Sequence, residues 1–188
     1  MAALTRPQWS IEYPFETNEV NVNGTLKMLE NSRDAKVKRF IFLSTSNVYG
    51  EQKIYPTSEN VIPNPMNPYA MSKLIGEQYC KLFEELYGLE FNAIRPFNAY
   101  GTRMPVTGIY TSAVATYINA LKKDIPFVKF GDGFQRIDFV YIDDVVEQIM
   151  LLATSKIHGE VFNCGFGKNY PINEVLELIR KLMGKRIE

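Results

Sequence analysis

The sequence is poor in the residues that build metal sites and histidine-based catalysis. Its 188 residues include one histidine, His158, and two cysteines, Cys80 and Cys164, which lie far apart and outside any CxxC pattern. A metal site needs several closely spaced ligands, and a Ser-His-Asp triad needs a histidine beside its nucleophile. The composition therefore predicts no metal and no triad, and it indicates that both cysteines are buried free thiols of a reducing compartment.

The sequence also lacks an excess of charge of one sign and any long apolar run. Its 21 basic and 21 acidic residues give a net charge of zero, whereas nucleic-acid-binding proteins usually carry a basic patch. No apolar run approaches the roughly 20 residues of a membrane-spanning helix. The first ten residues, MAALTRPQWS, contain no signal-peptide core. We expect a cytoplasmic protein with one core and neither a nucleic-acid nor a membrane partner.

The hydrophobic pattern of the first half predicts a strand–helix–strand unit. The apolar run RFIFLS at 39–44 indicates a buried strand, a helix is predicted over 68–87, and EFNAIRPF at 90–97 indicates the next strand. An earlier helix is predicted over about 14–34, and the Pro- and Asn-rich residues 51–67 predict a loop. A strand–helix–strand unit implies parallel strands joined by a right-handed crossover.

The second half continues the alternation of helices and strands. Helices are predicted near 109–123, 143–155 and 172–183, and strands near 127–130, 138–142 and 160–164. The whole pattern predicts an α/β fold in which helices cover a mainly parallel sheet.

Polar residues follow the predicted strands at the edge where α/β proteins bind ligands. Ser44, Thr45 and Ser46 come at the end of one strand, and Asn98 follows the next. Tyr69 opens the intervening helix in the segment NPYAMSK, in which Asn67 suits the N-cap and Pro68 suits the first helical position. Ligands of open α/β sheets lie beyond the carboxyl ends of the strands. We therefore expect these side chains to face one crevice.

Tyr69 and Lys73 lie one helical turn apart and form a candidate proton-transfer pair. A free tyrosine has a pKa near 10, and a neighbouring ammonium lowers it. Tyr69 would then act as a general base or acid toward an alcohol or a carbonyl, while Thr45 holds the same oxygen by a hydrogen bond. This set suits the interconversion of alcohol and ketone, which needs a hydride acceptor such as a nicotinamide.

The motifs resemble those of one known family, in its order. They are AAL at 2–4, NVNGT at 21–25, FLSTSNVYG at 42–50, YAMSK at 69–73, RPFNAYG at 95–101, DFVYIDDVV at 138–146 and EVFNCGFGKNYPINEVLELI at 160–179. Together they resemble the extended short-chain dehydrogenases/reductases, and within these the NAD-dependent nucleotide-sugar epimerases and dehydratases. In that family, AAL would end the fourth strand of the sheet.

The resemblance implies a fold and a domain organisation. It implies a partial Rossmann-like, doubly wound, mainly parallel sheet with helices on both faces, together with part of a small substrate-binding subdomain. Residues 1–188 would form a single partial domain. Within it, 1–103 would be the C-terminal half of the Rossmann-like core, and 104–188 would interleave core and substrate-binding segments.

The resemblance also assigns roles to residues. Thr45, Tyr69 and Lys73 would be catalytic. NAD would be bound by Asn21, Ser44, Tyr69, Lys73 and Pro96, and the nucleotide sugar by Thr45, Ser46, Asn98, Arg103 and Arg136. The family often has an arginine directly before the Asp of DFVYI. Here Ile137 occupies that place, and Arg136 would face the opposite side of a strand. Arg103 and Arg136 therefore retain the alternative of exposed turn arginines.

The family's Gly-rich turn, which holds the cofactor pyrophosphate, has no counterpart in the sequence. Gly131 and Gly133 in FGDGF come too late and indicate a turn. We therefore expect an internal piece of a longer protein that binds NAD poorly by itself and exposes the strand 39–44 at a sheet edge. It would associate with a missing N-terminal half or as a homodimer, for which the family uses helices near 14–32 and 68–87.

The two residues after Thr45 favour one reaction within the family. Dehydratases of this type carry Asp-Glu there, whereas this chain has Ser46 and Asn47, which do not titrate usefully. We therefore expect a 4-epimerase of a UDP-hexose or a related nucleotide sugar. A dehydratase or ketoreductase of the same family remains an alternative, as does a non-catalytic interaction protein that kept the fold.

Overall fold

The computed structural model describes residues 3–52, 54–106, 112–129 and 131–185. The chain divides into two compact units. The first comprises Met1–Phe97 and Asp143–Cys164, and the second comprises Asn98–Ile142 and Gly165–Glu188.

The helices and strands alternate along the chain. In chain order they are α1 (Pro7–Glu12), α2 (Pro14–Asn18), a π-helix (Glu19–Asn23), α3 (Gly24–Asp34), β1 (Arg39–Leu43), a 3-10 helix (Ser46–Tyr49), α4 (Pro68–Tyr87), β2 (Glu90–Pro96), β3 (Asn98–Tyr100), α5 (Ala113–Lys123), β4 (Arg136–Tyr141), α6 (Ile142–Thr154), β5 (Glu160–Cys164), β6 (Asn169–Pro171) and α7 (Ile172–Leu182).

The first unit contains a parallel sheet in the order β1-β2-β5. The central strand β2 is buried along most of its length, as expected for a parallel strand covered on both faces. Buried apolar side chains from α3, β1, α4 and β2 form its core, and they include Leu29, Phe42, Phe83 and Phe91. The predicted βαβ unit of β1, α4 and β2 is therefore confirmed.

Local signals at both ends fix the length of α4. The side chain of Asn67 accepts a hydrogen bond from the Ala70 backbone N–H at 2.9 Å, and Pro68 takes the first helical position. Gly88 ends the helix in the left-handed conformation with φ of 69°, which costs glycine little because it has no Cβ. The predicted bounds of 68–87 are those of the structure.

The second unit is built on three short strands and two helices. β3 pairs with β4 in parallel, and β4 pairs with β6 in the antiparallel sense. Tyr117 and Leu121 of α5 pack against Ile172 and Leu176 of α7 in a separate apolar cluster.

Three predictions about the elements need correction. The strand predicted over 127–130 is absent from its described residues: Phe127 packs on Tyr117, but residues 127–129 pair with none of the described strands. The short strands β3 and β6 were not predicted. Ala3 and Leu4 form no strand, and the Asn21 side chain bonds both backbone groups of Leu4. Residue 2 and residues 109–111 of the predicted helix lie outside the described residues.

Gly76 lets α4 approach β1 closely, and this contact generates a testable difference between two helical glycines. A Cβ at Gly76 would overlap the ring of Phe42, whereas a Cβ at Gly24 in α3 would meet nothing within 4 Å. We expect Gly76→Ala to lower the free energy of unfolding by about 1–3 kcal/mol through overpacking. Gly24→Ala, the matched control, should raise it by about 0.5–1 kcal/mol through helix propensity. Urea unfolding of both variants measures the difference, and equal stabilities would show that Phe42 moves aside freely.

Candidate active site

Tyr69 and Lys73 lie in the first two turns of α4, against the end of β1. Both are almost fully buried, with 6% and 9% of their surface exposed. The Lys73 Nζ donates a hydrogen bond to the carbonyl oxygen of Leu43 at 2.8 Å and lies 5.2 Å from the centre of the Phe42 ring. The last residue of β1 is thus tied to the helix that carries the tyrosine.

Thr45 is oriented by the short helix that follows it. It is the N-cap of the 3-10 helix, and its Oγ1 accepts hydrogen bonds from the backbone N–H of Asn47 at 3.3 Å and from Asn47 Nδ2 at 3.1 Å. Because the oxygen accepts both bonds, its own hydrogen remains to be donated. The hydroxyl also interacts with the phenol of Tyr69. The structure therefore brings the side chains of Thr45 and Tyr69 together and places Lys73 one turn further along α4.

Burial dominates the titration of both α4 groups. It raises the pKa of the Tyr69 phenol above its ordinary value, and the hydrogen bond with Thr45 opposes this only in part. Burial also lowers the pKa of Lys73 from 10.5 to about 8. The pKa of Tyr69 is therefore raised overall and not lowered as expected, because removing the phenolate from water disfavours it more than the hydrogen bond with Thr45 favours it.

Two residues expected to bind NAD already bond within the chain. Asn21, in the π-helix, uses its side-chain amide on both backbone groups of Leu4 and on the Ser72 hydroxyl, at 2.8–3.0 Å. The Ser44 hydroxyl donates to the carboxylate of Glu77. Both side chains are buried, and their contacts fix the segments that flank Thr45 and Tyr69.

Sequence reasoning missed a buried ion pair beneath these residues. Arg95 of β2 donates to Glu77 of α4 through Nε at 2.9 Å and through Nη2 at 2.6 Å. The guanidinium also lies 4.7 Å from the centre of the Tyr49 ring. Glu77 follows Lys73 by the same four residues that separate Lys73 from Tyr69, and this spacing was the available signal.

The remaining predicted residues of the first unit lie at the ends of its strands. Ser46 lines a cavity of about 260 Å³, together with Asn47, Tyr55 and Phe97. Pro96 is the last residue of β2 and pairs in register with Cys164 of β5.

The other predicted sugar-binding residues belong to the second unit. Asn98 opens β3, and its Nδ2 donates to the Asp138 carbonyl at 3.1 Å. Arg136 is exposed, and its guanidinium bonds the side chain and the carbonyl of Asn169 at 2.7 and 2.9 Å. Arg103 is exposed and has a positive φ of 64°.

The structure also bears on metal binding and on whether a helix could span a membrane. Within the described ranges, no group of three or more His, Cys, Asp and Glu side chains is placed to hold a metal ion. Among the helices that the structure describes, none is both long and apolar enough to cross a membrane.

The lowered pKa of Lys73 predicts a specific dependence of stability on pH. The unfolded chain, with an ordinary lysine pKa of 10.5, binds this proton more tightly than the folded chain, whose pKa is about 8. Stability therefore rises with pH between about 8 and 10.5 on account of Lys73. Burial of Cys80 raises the pKa of its thiol from 9.0 to about 12, which lowers stability as pH rises above 9.

Measurement between pH 7 and 9 separates the two effects. Over this range the free energy of unfolding of the wild type should rise by about 1 kcal/mol relative to that of Lys73→Met. The variant keeps the apolar stem and removes the titrating group. Urea unfolding of both proteins at several pH values gives the difference, and parallel curves would contradict the assignment.

The comparisons with known proteins agree with one another. The sequence profile of the NAD dependent epimerase/dehydratase family matches residues 1–165. A putative UDP-glucose 4-epimerase of Methanocaldococcus jannaschii is 36% identical over 188 residues, which are 100% of this chain and 61% of that protein.

Solved structures are similar over the same length. The UDP-glucose 4-epimerase of Thermotoga maritima, solved with UDP-glucose, has a TM-score of 0.96 and 35% identity, and the match covers 100% of this chain and 61% of that one. The UDP-glucose 4-epimerase of Thermus thermophilus, solved as a complex with NAD, has a TM-score of 0.90 and 32% identity, with 100% and 62% covered.

The chain thus spans about three fifths of the length of these relatives. The structural likeness confirms the predicted Rossmann-like α/β fold with a mainly parallel sheet. Because the family profile matches most of the sequence, the chain belongs to the NAD dependent epimerase/dehydratase family of nucleotide-sugar enzymes.

Proposed function

We propose that this chain carries the catalytic hydroxyls of a UDP-hexose 4-epimerase that uses NAD. The observation that carries the proposal is the placement of Tyr69 and Lys73, both buried on α4, against the end of β1, where the Thr45 hydroxyl interacts with the Tyr69 phenol. Similarity to UDP-glucose 4-epimerases over the whole chain supports the choice of substrate.

The donors around Lys73 fit the nicotinamide-ribose end of NAD. The Lys73 ammonium has three N–H donors, and its hydrogen bond to Leu43 uses one of them. Lys73 and Tyr69 would hold the ribose hydroxyls, with Ser44, Asn21 and Pro96 shaping the surrounding backbone. When bound, NAD would supply reversible hydride transfer at C4 of the sugar.

The protein residues would then move and hold one proton. Tyr69 would take the proton from the C4 hydroxyl. After the 4-keto sugar has rotated to present its opposite face, Tyr69 would return the proton to the ketone oxygen. With the sugar bound, the Thr45 hydroxyl would turn its one hydrogen from the phenol to this oxygen and keep the oxygen within reach of Tyr69. Because burial raises the pKa of Tyr69, the phenol holds its proton at neutral pH. It can act as the base only once it has lost that proton to solvent, a loss that the positive charge of Lys73 would favour.

The nucleotide sugar would use residues beyond the ends of the strands. Ser46 would contact the hexose from the cavity that it lines. Asn98, Arg103 and Arg136 are proposed to bind the sugar and the diphosphate, since amide and guanidinium donors suit hydroxyl and phosphate oxygens.

A dehydratase reaction has less support from the site. Elimination of water from the sugar ring needs an acid and a base that titrate. Asn47 stands where dehydratases of this type carry a glutamate, and its amide holds Thr45. A carboxamide is neither a general acid nor a general base at neutral pH, which favours epimerisation.

Substitution of the two hydroxyl residues tests the proposed reaction. In a form of the protein with the full length of these relatives, supplied with NAD and UDP-glucose, Tyr69→Phe should lower kcat by about 10²–10⁴-fold because it removes the proton-transfer group. Thr45→Val should lower kcat by roughly 10-fold, since it removes one orienting hydrogen bond. NMR of the sugar anomeric protons measures formation of the C4 epimer.

Tyr79→Phe is the matched control. Tyr79 also lies on α4, but it packs against the apolar core of the first unit, so its loss of a hydroxyl should leave kcat unchanged. Wild-type rates in Tyr69→Phe would contradict the proposal.

Self-association through α3 and α4 is part of the same proposal. These helices carry exposed apolar side chains, among them Met28 (56%), Met71 (46%), Leu82 (43%) and Leu86 (61%). Scattered apolar residues are ordinary, but a contiguous patch favours an interface.

We expect light scattering to give a dimer mass, and Leu86→Asp to reduce it to that of one chain. Ile62→Asp, at a more exposed apolar position (86%) in the loop before α4, should leave the dimer intact. A monomeric wild type would contradict this part of the proposal.

A further inference from the structure

One face of α4 carries three polar residues at intervals of four, namely Tyr69, Lys73 and Glu77. Residues at this spacing lie above one another on a helix. The proposed function uses Tyr69 and Lys73 but gives Glu77 no part. Yet Glu77 is almost fully buried, with 3% of its surface exposed, and carboxylates are almost never fully buried unless they are paired.

The carboxylate of Glu77 accepts hydrogen bonds from the guanidinium of Arg95 and from the hydroxyl of Ser44. Its Oε1 accepts from Arg95 Nε at 2.9 Å and from the Ser44 hydroxyl, and its Oε2 accepts from Arg95 Nη2 at 2.6 Å. Arg95 is itself only 4% exposed. Both oxygens of Glu77 are thus acceptors in this network, and a guanidinium can only donate. Ser44 must therefore be the donor, which fixes the rotation of its hydroxyl.

Helix α4 thus holds the end of β1 at two consecutive residues. Lys73 bonds the carbonyl of Leu43 at 2.8 Å, and Glu77 bonds the side chain of Ser44. The backbone N–H of Ser44 donates to the Ile94 carbonyl at 2.8 Å, which extends the pairing of β1 and β2 by one residue. Thr45 is the next residue along the chain, so its position against Tyr69 follows from these contacts.

We propose that Glu77, held by Arg95, is a positioning residue that fixes the end of β1 on α4 and so holds the Thr45 hydroxyl beside the Tyr69 phenol. A buried ion pair is weak evidence of stabilisation, because well-packed apolar residues of similar volume often serve the fold equally well. What apolar residues cannot supply is an acceptor for Ser44. The inference rests on the proposed function only in giving the Thr45–Tyr69 contact a catalytic purpose.

The contact can be measured without cofactor or substrate. Incorporation of 3,5-difluorotyrosine at position 69 gives one fluorine signal from a phenol that titrates at lower pH than tyrosine, within the range where the chain stays folded. A hydrogen bond donated by Thr45 stabilises the phenolate. If Glu77 maintains that bond through Ser44, then Ser44→Ala should raise the pKa of this phenol by about half a pH unit. The Glu77–Arg95 pair stays intact in this variant.

A second variant and a control complete the test. Glu77→Leu combined with Arg95→Met removes both charges together, so that no unpaired charge stays buried, and it should raise the phenol pKa as Ser44→Ala does. Glu90→Gln removes the charge from a different ion pair, which joins β1 to β2: Arg39 Nη2 bonds Glu90 at 2.7 Å at the opposite end of the strands. It should leave the titration at its wild-type pH.

The outcomes separate this inference from the proposed reaction. Identical titration of the wild type, Ser44→Ala and the paired variant would overturn the inference and leave the network a purely structural role. If the paired variant fails to fold, Ser44→Ala decides the question alone. Neither NAD nor a sugar enters the measurement, so an absence of 4-epimerase activity would not alter its result.

Discussion

The close packing of α4 on β1 is the constraint on which the rest of the site depends. Gly76 permits it, because any Cβ there would overlap the Phe42 ring. At this separation the Lys73 ammonium reaches the Leu43 carbonyl at 2.8 Å, and the carboxylate of Glu77 reaches Ser44. The helix and the strand therefore meet through directional bonds as well as through apolar contact. A small rotation of α4 would break these bonds together, and so the position of Tyr69 is set by the same contacts that build the core.

The same packing buries ionisable groups away from water, and this burial shifts their pKa values toward the uncharged form. Burial lowers the pKa of Lys73 to about 8 and raises that of Tyr69. Each shift disfavours the charged form, so both groups reduce the stability of the fold in the ionised state that chemistry would use. Strongly perturbed groups gathered in one place are typical of functional sites, although structural ion pairs also shift pKa values. Here the perturbed pair lies beside an oriented hydroxyl, which favours the functional interpretation.

Local signals in the sequence predicted the elements that carry the site, whereas contacts between distant residues were not predictable. Asn67, Pro68 and Gly88 mark the ends of α4, and the apolar runs mark β1 and β2, so these elements were correctly placed. The failures have a tertiary cause. The described residues of the segment 127–130 pair with no described strand, although Phe127 packs on Tyr117. The direction of the Tyr69 pKa shift depends on burial that only the folded chain creates. The partnership of Glu77 with Arg95 joins residues 18 positions apart on different elements. No local pattern encodes it, although the four-residue spacing indicates that Glu77 shares a face with Lys73.

In the short helix after β1, Asn47 affects where the Thr45 hydroxyl donates its hydrogen, although an amide does not titrate. Thr45 caps this helix, and its oxygen accepts from the backbone and the side-chain nitrogen of Asn47. Capping alone would leave the hydroxyl hydrogen free to rotate toward any acceptor nearby. The amide of Asn47 presents a second donor, so the hydrogen of Thr45 has to turn elsewhere, and the phenol of Tyr69 is its neighbour. A carboxylate at position 47 is an acceptor only, and it would draw the Thr45 hydrogen to itself and away from Tyr69. The residue at position 47 therefore selects the direction of the hydrogen bond between Thr45 and its surroundings, and with it whether Thr45 can stabilise a phenolate.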